Sequence, residues 1–150
     1  MKLFKLTFIA ITLLIGPSIV GQITCDSISN VTNSYLNTSQ DKQLNRVFIS
    51  DGQLYRALLD ENQSAEFEVT LYGGSTYRVA ASAGIAENYL IFEIYDMERN
   101  LLFSNKDYNN APYWDFKIES TIDCYVEARL DMNKKLSGCA RMMIGFEKRK

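Results

Sequence analysis

The chain has 150 residues, 47% of them apolar and 23% charged, with a formal net charge of −2, nine Tyr, eight Phe, one Trp and no His. That length makes one domain, with a core large enough to need no metal or disulfide staple. The missing histidine removes the commonest general base, the Ser-His-Asp and Cys-His arrangements and the usual zinc ligand. The basic residues are scattered apart from Lys134-Lys135 and the tail Lys148-Arg149-Lys150, so no face suits nucleic acid.

In chain order, Lys2 and Lys5 precede an apolar run from Leu6 to Ile15, then Gly16-Pro17 and a small-residue zone ending at Gly21. This is the layout of a secretory signal peptide over residues 1–21. The run is shorter than the roughly 20 residues that a membrane span needs. Cleavage after Gly21 makes Gln22 the mature N-terminus, takes away two lysines, and leaves a mildly acidic chain with no membrane span, secreted or periplasmic. Cys25 also stands near a lipoprotein position, but Gln22-Ile23-Thr24 lacks the small residue that such processing wants.

Residues 22–46 are rich in Ser, Thr, Asn and Gln with no sustained period, which predicts a polar arm with at most a short helical turn. Sequons stand at Asn30, Asn37 and Asn62 and matter only in a eukaryotic source. The ordered domain is expected over 47–147, followed by a basic tail at 148–150. Val47-Phe48-Ile49 reads as a short edge strand, Ser50-Asp51-Gly52 as a turn, and Gln53–Leu59 as either a strand or one turn of helix.

From Phe67 the alternation is regular. Phe67, Val69 and Leu71 share one face; Gly73-Gly74 supplies the residue type of a tight hairpin; Tyr77, Val79 and Ala81 take the buried face opposite Thr76, Arg78 and Ser82. Leu90, Phe92 and Ile94 point inward, against Tyr89, Ile91, Glu93 and Tyr95. Asp96–Asn100 is a turn, with Asn100 able to adopt a left-handed conformation. Leu101–Ser104 is a short strand, 105–112 a loop, and Tyr113–Glu119 buries Trp114, Phe116 and Ile118. Ile122, Cys124, Val126, Ala128 and Leu130 then share a face, as do Ala140, Met142, Ile144 and Phe146. Seven short strands at even spacing, without a helical period, indicate an all-β chain: an antiparallel β-sandwich or jelly roll of about seven to nine strands. Each sheet would have one dry face and one wet face. An up-and-down barrel is the alternative.

The mature chain keeps three cysteines, Cys25, Cys124 and Cys139. In an oxidising compartment an odd count leaves one pair and a free thiol, or no pair. A turn at 131–137 folding one strand back on the other sets Cys139 near Arg129, with Cys124 about five residues further along and out of reach. Cys25–Cys139, Cys25–Cys124 and no disulfide all stay open.

The segments FEVTLYGGSTYRV, LIFEIYDMERNLLFSN and DCYVEARL, within Glu66–Gly145, resemble the bacterial pre-peptidase C-terminal domain. The resemblance implies a secreted β-sandwich of the kind often appended to extracellular peptidases, some members of which bind calcium at loops. Asn100 stands where that family usually has Gly. No peptidase domain precedes the module in these 150 residues, so the accessory role does not carry over. The ending SGCARMMIGF resembles small stand-alone secreted proteins of Bacteroidetes-type bacteria.

Three kinds of site follow from the residue types. Tyr89, Tyr95, Tyr108 and Tyr113 fall on outward positions or loops and offer stacking surfaces to a glycan or a protein partner. Asp96, Glu98, Asn105 and Asp107 flank one hairpin and suit calcium, the one cofactor considered, although no DxDxDG spacing is present. Glu93, Asp96, Asp107, Asp115 and Glu119 could converge as a carboxylate pair for hydrolysis. The expectation is a non-catalytic secreted module that binds carbohydrate or a protein partner, with no catalytic residue assigned. A small carboxylate-dependent hydrolase, or an envelope-structural protein without a ligand, is the alternative.

Overall fold

The computed structural model describes residues 25–38, 46–84, 88–135 and 137–148. The expected signal peptide and its cleavage point lie outside these residues, as does the end of the basic tail. Among the described residues no helix is long and apolar enough to cross a membrane.

Helix α1 (Cys25–Asn37) is followed by nine strands: β1 (Phe48–Ser50), β2 (Tyr55–Leu59), β3 (Ser64–Leu71), β4 (Ser75–Ser82), β5 (Leu90–Asp96), β6 (Leu101–Ser104), β7 (Tyr113–Ile118), β8 (Ile122–Leu130) and β9 (Gly138–Glu147). They form two antiparallel sheets packed face to face. One holds β1-β9-β4-β7, with β2 also paired to β9, and the other holds β3-β8-β5-β6. The ambiguous segment before Leu59 is thus a strand. Among the described residues β5 and β6 are the only consecutive strands that pair, which makes an open sandwich and not an up-and-down barrel.

Gly73-Gly74 is therefore not a hairpin turn. It carries the chain from the four-stranded sheet to the five-stranded one. Gly74 has φ +75° and donates its N–H to the Ile118 carbonyl at 2.7 Å, and the Gly73 N–H reaches Thr121 Oγ1 at 3.1 Å. A Cβ on Gly73 would lie 2.8 Å from the Glu119 carbonyl oxygen. Glycine is required there because two inter-sheet connections touch, backbone to backbone. The β8–β9 connection crosses between sheets in the same way. In the turn after β5 the left-handed residue is Arg99 (φ +68°) and not Asn100. The Asp96 carboxylate fixes that turn by accepting both the Glu98 and Asn100 backbone N–H groups.

The inter-sheet core is built from the alternation seen in the sequence: Val79, Ala81, Leu90, Phe92, Val126 and Ile144 are all under 2% exposed. Trp114, Phe116 and Ile118 pack against it half-buried. Phe146 departs from its expected place and is 39% exposed at the end of β9.

The region expected as a polar arm is mostly helix. Ile28, Thr32 and Leu36, spaced at i, i+4 and i+8, form one buried stripe on the outer face of the five-stranded sheet. The middle member is a threonine whose hydroxyl bonds back to the Ile28 carbonyl at 3.0 Å, and this polar residue interrupts the apolar period. Burying Ile28 and Leu36 contributes about 1.5–3 kcal/mol each. The helix also makes β4 dry on both sides, so Ala80, Arg78 and Ser82 are as buried as Val79 and Ala81. The expected wet face is therefore lost only where the helix lies; elsewhere on the same sheet Arg56, Leu58 and Lys117 stay exposed.

Two attachments hold α1. At its start, Cys25 is disulfide-bonded to Cys139 with the Cα atoms 5.5 Å apart. At its end, Arg78 Nη1 donates to the carbonyls of Leu36 (3.2 Å), Tyr35 (3.4 Å) and Thr38. Cys124 is free and buried between the sheets, and burial pushes its thiol up to about 11.

Candidate functional site

The edge formed by β6, the 3₁₀ turn Asn105–Tyr108 and β7, with the β5–β6 turn at its far end, carries apolar side chains that are not covered. Met97, Leu101, Leu102 and Tyr108 are 46%, 53%, 50% and 51% exposed. β6 pairs only with β5, and β7 only with β4, so both outer strand edges are open among the described residues. Between them lies an apolar cleft of about 190 Å³ whose walls include Leu71, Leu102, Phe116, Ile118 and Cys124.

An aromatic stack supports this edge from below. Phe103 meets Phe92 at 5.6 Å, Trp114 at 5.2 Å and Phe116 edge-on at 4.9 Å; Tyr108 lies parallel to Phe103 at 5.6 Å and 4.2 Å from Trp114. Edge-to-face and offset contacts of this kind fix ring positions beyond simple burial.

Asparagines set the loop that carries Tyr108. Asn105 is fully buried: its Oδ1 accepts the Phe92 N–H at 2.8 Å, and its Nδ2 donates to the Leu90 and Ala111 carbonyls at 3.0 Å each. It thereby replaces strand pairing that the chain has left. Asn109 and Asn110 end the turn with φ +58° and +53°, a conformation asparagine tolerates better than most residues. Asn110 is then pinned to Asp131 at 2.8 Å.

Of the four expected tyrosines, Tyr108 alone lies on this edge. Tyr95 is on the outer face of the four-stranded sheet, where its hydroxyl donates to Glu93 at 3.0 Å. Tyr89 precedes β5 with the Lys135 ammonium 5.8 Å from its ring. Tyr113 is on the outer face of the other sheet, 4.4 Å from the Arg78 guanidinium. The four share no surface. The residues missed by reasoning from exposed tyrosines are Leu101, Leu102, Met97 and the supporting Phe103. The available signal was two adjacent leucines on a short edge strand, where alternation allows only one to be buried.

The four calcium candidates do not meet. Asp96 is four positions from Phe92, where Asn105 attaches, which separates them by about 13 Å along β5. Asp96 is engaged in its own turn, Asn105 spends its amide on backbone, and Glu98 and Asp107 are exposed. The described residues contain no group of three or more His, Cys, Asp or Glu placed to hold a metal. The five carboxylates considered for hydrolysis are dispersed too: Glu93 and Asp115 are on opposite outer faces, Asp96 and Asp107 at opposite ends of β6, and Glu119 in an exposed turn.

Several of these carboxylates are structural. Burial alone would raise the Glu93 carboxyl, but bonds from Ser104 (2.9 Å), Tyr95 and Arg129 (3.2 Å) outweigh it and hold the group below its ordinary value of 4.5. The Arg46 fork, at 2.8 and 2.9 Å, holds Glu147 low, and the Asn110 amide does the same for Asp131. A carboxyl whose pKa falls on folding stabilises the fold fully above its unfolded value, and that contribution is lost as pH falls through the folded value. Asp51, raised by burial, works in the opposite sense. The melting temperature should be level above about pH 5 and fall as acid is added below the ordinary carboxylate value. Glu147→Gln should flatten that acid limb, which thermal melts across pH 3–7 will show.

On the opposite side of the sandwich, between β2 and β3, a second pocket of about 240 Å³ includes Ala57, Ala65, Ala128 and Ala140 in its lining. Tyr55 stacks on Phe67 there at 3.9 Å, and burial with the nearby Asp51 carboxylate pushes its phenol up to about 12.

No family model matches the chain, and no curated protein matches its sequence. Among solved structures the chain is similar to the crystal structure of Aeromonas hydrophila PliG, a periplasmic lysozyme inhibitor of g-type lysozyme. The likeness has a TM-score of 0.49 and 6% sequence identity, over 63% of this chain and 84% of that one.

Proposed function

We propose that the chain is an exported, non-catalytic β-sandwich module that binds a protein partner along the β6–β7 edge. The observation that carries this reading is Leu102 and Tyr108, each about half exposed, Leu102 lining the apolar cleft and Tyr108 stacked on Phe103 and Trp114, with Leu101 exposed on the same strand as Leu102. Apolar patches of this kind, on a preorganised support, are where interfaces place their anchors. The Cys25–Cys139 bond supports an oxidising compartment. The resemblance to the pre-peptidase C-terminal domain fits a secreted sandwich and adds no ligand.

The experiment compares immobilised mature protein with a Leu101→Lys/Leu102→Lys variant, matched for thermal stability, against envelope and culture-medium proteins of the source cell. The reading expects a protein retained by the wild type whose affinity, measured after purification, falls at least tenfold in the variant. It is overturned if the variant binds equally well, if a glycan array responds instead, or if neither assay yields a ligand.

A further inference from the structure

We propose that the Cys25–Cys139 disulfide is a redox latch: its reduction releases α1 from the five-stranded sheet while the two-sheet sandwich stays folded. The inference is independent of the proposed binding edge, whose exposed side chains Leu101, Leu102 and Tyr108 are on β6 and the turn after it, outside the cluster that seats the helix.

The helix has little stability of its own. Its sequence, CDSISNVTNSYLN, contains one strong helix former, Leu36, among Ser, Asn, Thr, Val and Asp. Thirteen residues are marginal as an isolated helix even when alanine-rich. It therefore depends on its buried stripe of Ile28, Thr32 and Leu36 and on its two end attachments, the disulfide and Arg78. Cutting the first leaves the stripe, the half-buried Tyr35 and one guanidinium to order the whole segment.

The sandwich does not depend on the helix. Leu36 packs with Phe48 and Ala80 in a cluster separate from the inter-sheet core, to which no α1 residue contributes. The face beneath α1 mixes apolar and polar groups. Phe48, Ala80 and Met143 pack around Leu36, while Ser82, Gly145, Arg78 and, between Cys139 and Met143 on the same side of β9, Arg141 make the rest of it one that water can enter. Arg141 is 4% exposed, and its Nη1 has no hydrogen-bond partner among the described residues. An unsatisfied buried N–H opposes the docked state, and hydration after undocking would satisfy it.

The chemistry is thiol–disulfide exchange with a dithiol reductant. Its thiolate attacks Sγ of Cys25, the partly exposed half of the bond, because Cys139 is only 5% exposed. Cys139 leaves as a thiolate and takes up a proton. The second thiol of the reductant then displaces Cys25, so that two electrons and two protons end on the protein's thiols and the disulfide on the reductant. Cys124 does not join the exchange: it is fully buried between the sheets, on the far side of β4 and β9 from the helix.

The test is hydrogen exchange read by mass spectrometry on the mature protein, with and without dithiothreitol. Oxidised protein should protect α1 and the central strands alike. Reduced protein should lose slow exchange over 25–38, retain it in β4, β5 and β8, and still melt cooperatively. Iodoacetamide should then add two groups, at Cys25 and Cys139, and not a third at Cys124. Unchanged protection of α1 overturns the proposal, and so does loss of protection throughout with three groups added. The Cys25→Ser/Cys139→Ser variant should show the reduced pattern without reductant; if it does not fold, the sandwich needs the bond and the proposal fails.

Discussion

Arg78→Ala should destabilise the domain by up to about 3–5 kcal/mol, the range for breaking a fully buried charge pair, with Asp115 24% exposed and so partly eased by water. Arg78 is 3% exposed and uses its guanidinium in three ways. Nε and Nη2 fork onto Asp115 at 2.6 and 2.9 Å, Nη1 caps the carbonyls at the end of α1, and the planar group lies between the rings of Phe48 (4.1 Å) and Tyr113 (4.4 Å). Truncation leaves Asp115 with Arg46 alone and strips the last turn of α1 of its donor. Arg78→Lys should recover less than half of the loss, because a point-charge ammonium cannot fork to a carboxylate and stack flat at once. Urea denaturation will show the change as a lower midpoint. Arg99 provides the control: it makes a comparable two-bond contact with Glu66 and lies over Tyr125, but it is exposed and screened by water. Arg99→Ala should leave the midpoint within error. Equal loss from both substitutions would contradict the role given to burial.

Arg78 also shows where alternation stops being informative. It reads as an outward residue opposite Val79, and it does project from the sheet's outer face, but a helix roofs that face. Alternation in β4, β5, β7 and β8 identified the inward residues because period two is a property of one strand with one greasy side. Which sheet each strand joins depends on contacts distant in sequence. Hence Gly73-Gly74 has the composition of a hairpin while serving a crossing, and the only hairpin among the described residues is the one around Asp96–Asn100. The helix was hidden because Thr32 occupies the centre of its stripe. The disulfide partner was hidden because Cys25 comes near Cys139 only once the helix is docked. At the site, Tyr108 was legible as an aromatic residue in a polar loop. Trp114 was assigned to the core and does reach it, while its other contact, Tyr108, belongs to the surface. A residue that supports an interface from beneath has the same pattern as one that fills a core.

Asn105 puts that distinction to its sharpest test. As a calcium ligand it would tolerate, even favour, Asn105→Asp. As the buried splice between β5 and the loop bearing Tyr108, it needs an acceptor on one side and two donors on the other. Asn105→Ala leaves the Phe92 N–H and the Leu90 and Ala111 carbonyls without partners, and should destabilise the domain by about 3 kcal/mol, given about 1–3 kcal/mol for each unsatisfied buried group and incomplete additivity. Asn105→Asp retains the acceptor but points a carboxylate oxygen at two carbonyl oxygens. It should lose at least as much at neutral pH and recover part of it in acid, where a protonated carboxyl can donate again. Added calcium should raise the melting temperature of neither the wild type nor the Asp variant; a rise in either would restore the metal reading. Because the same splice holds Tyr108 against Phe103 and Trp114, Asn105→Ala should also weaken partner binding at temperatures well below its melt. On the proposed binding role, the edge would then lose affinity through disorder of its base, with Leu101, Leu102 and Tyr108 all still in the chain.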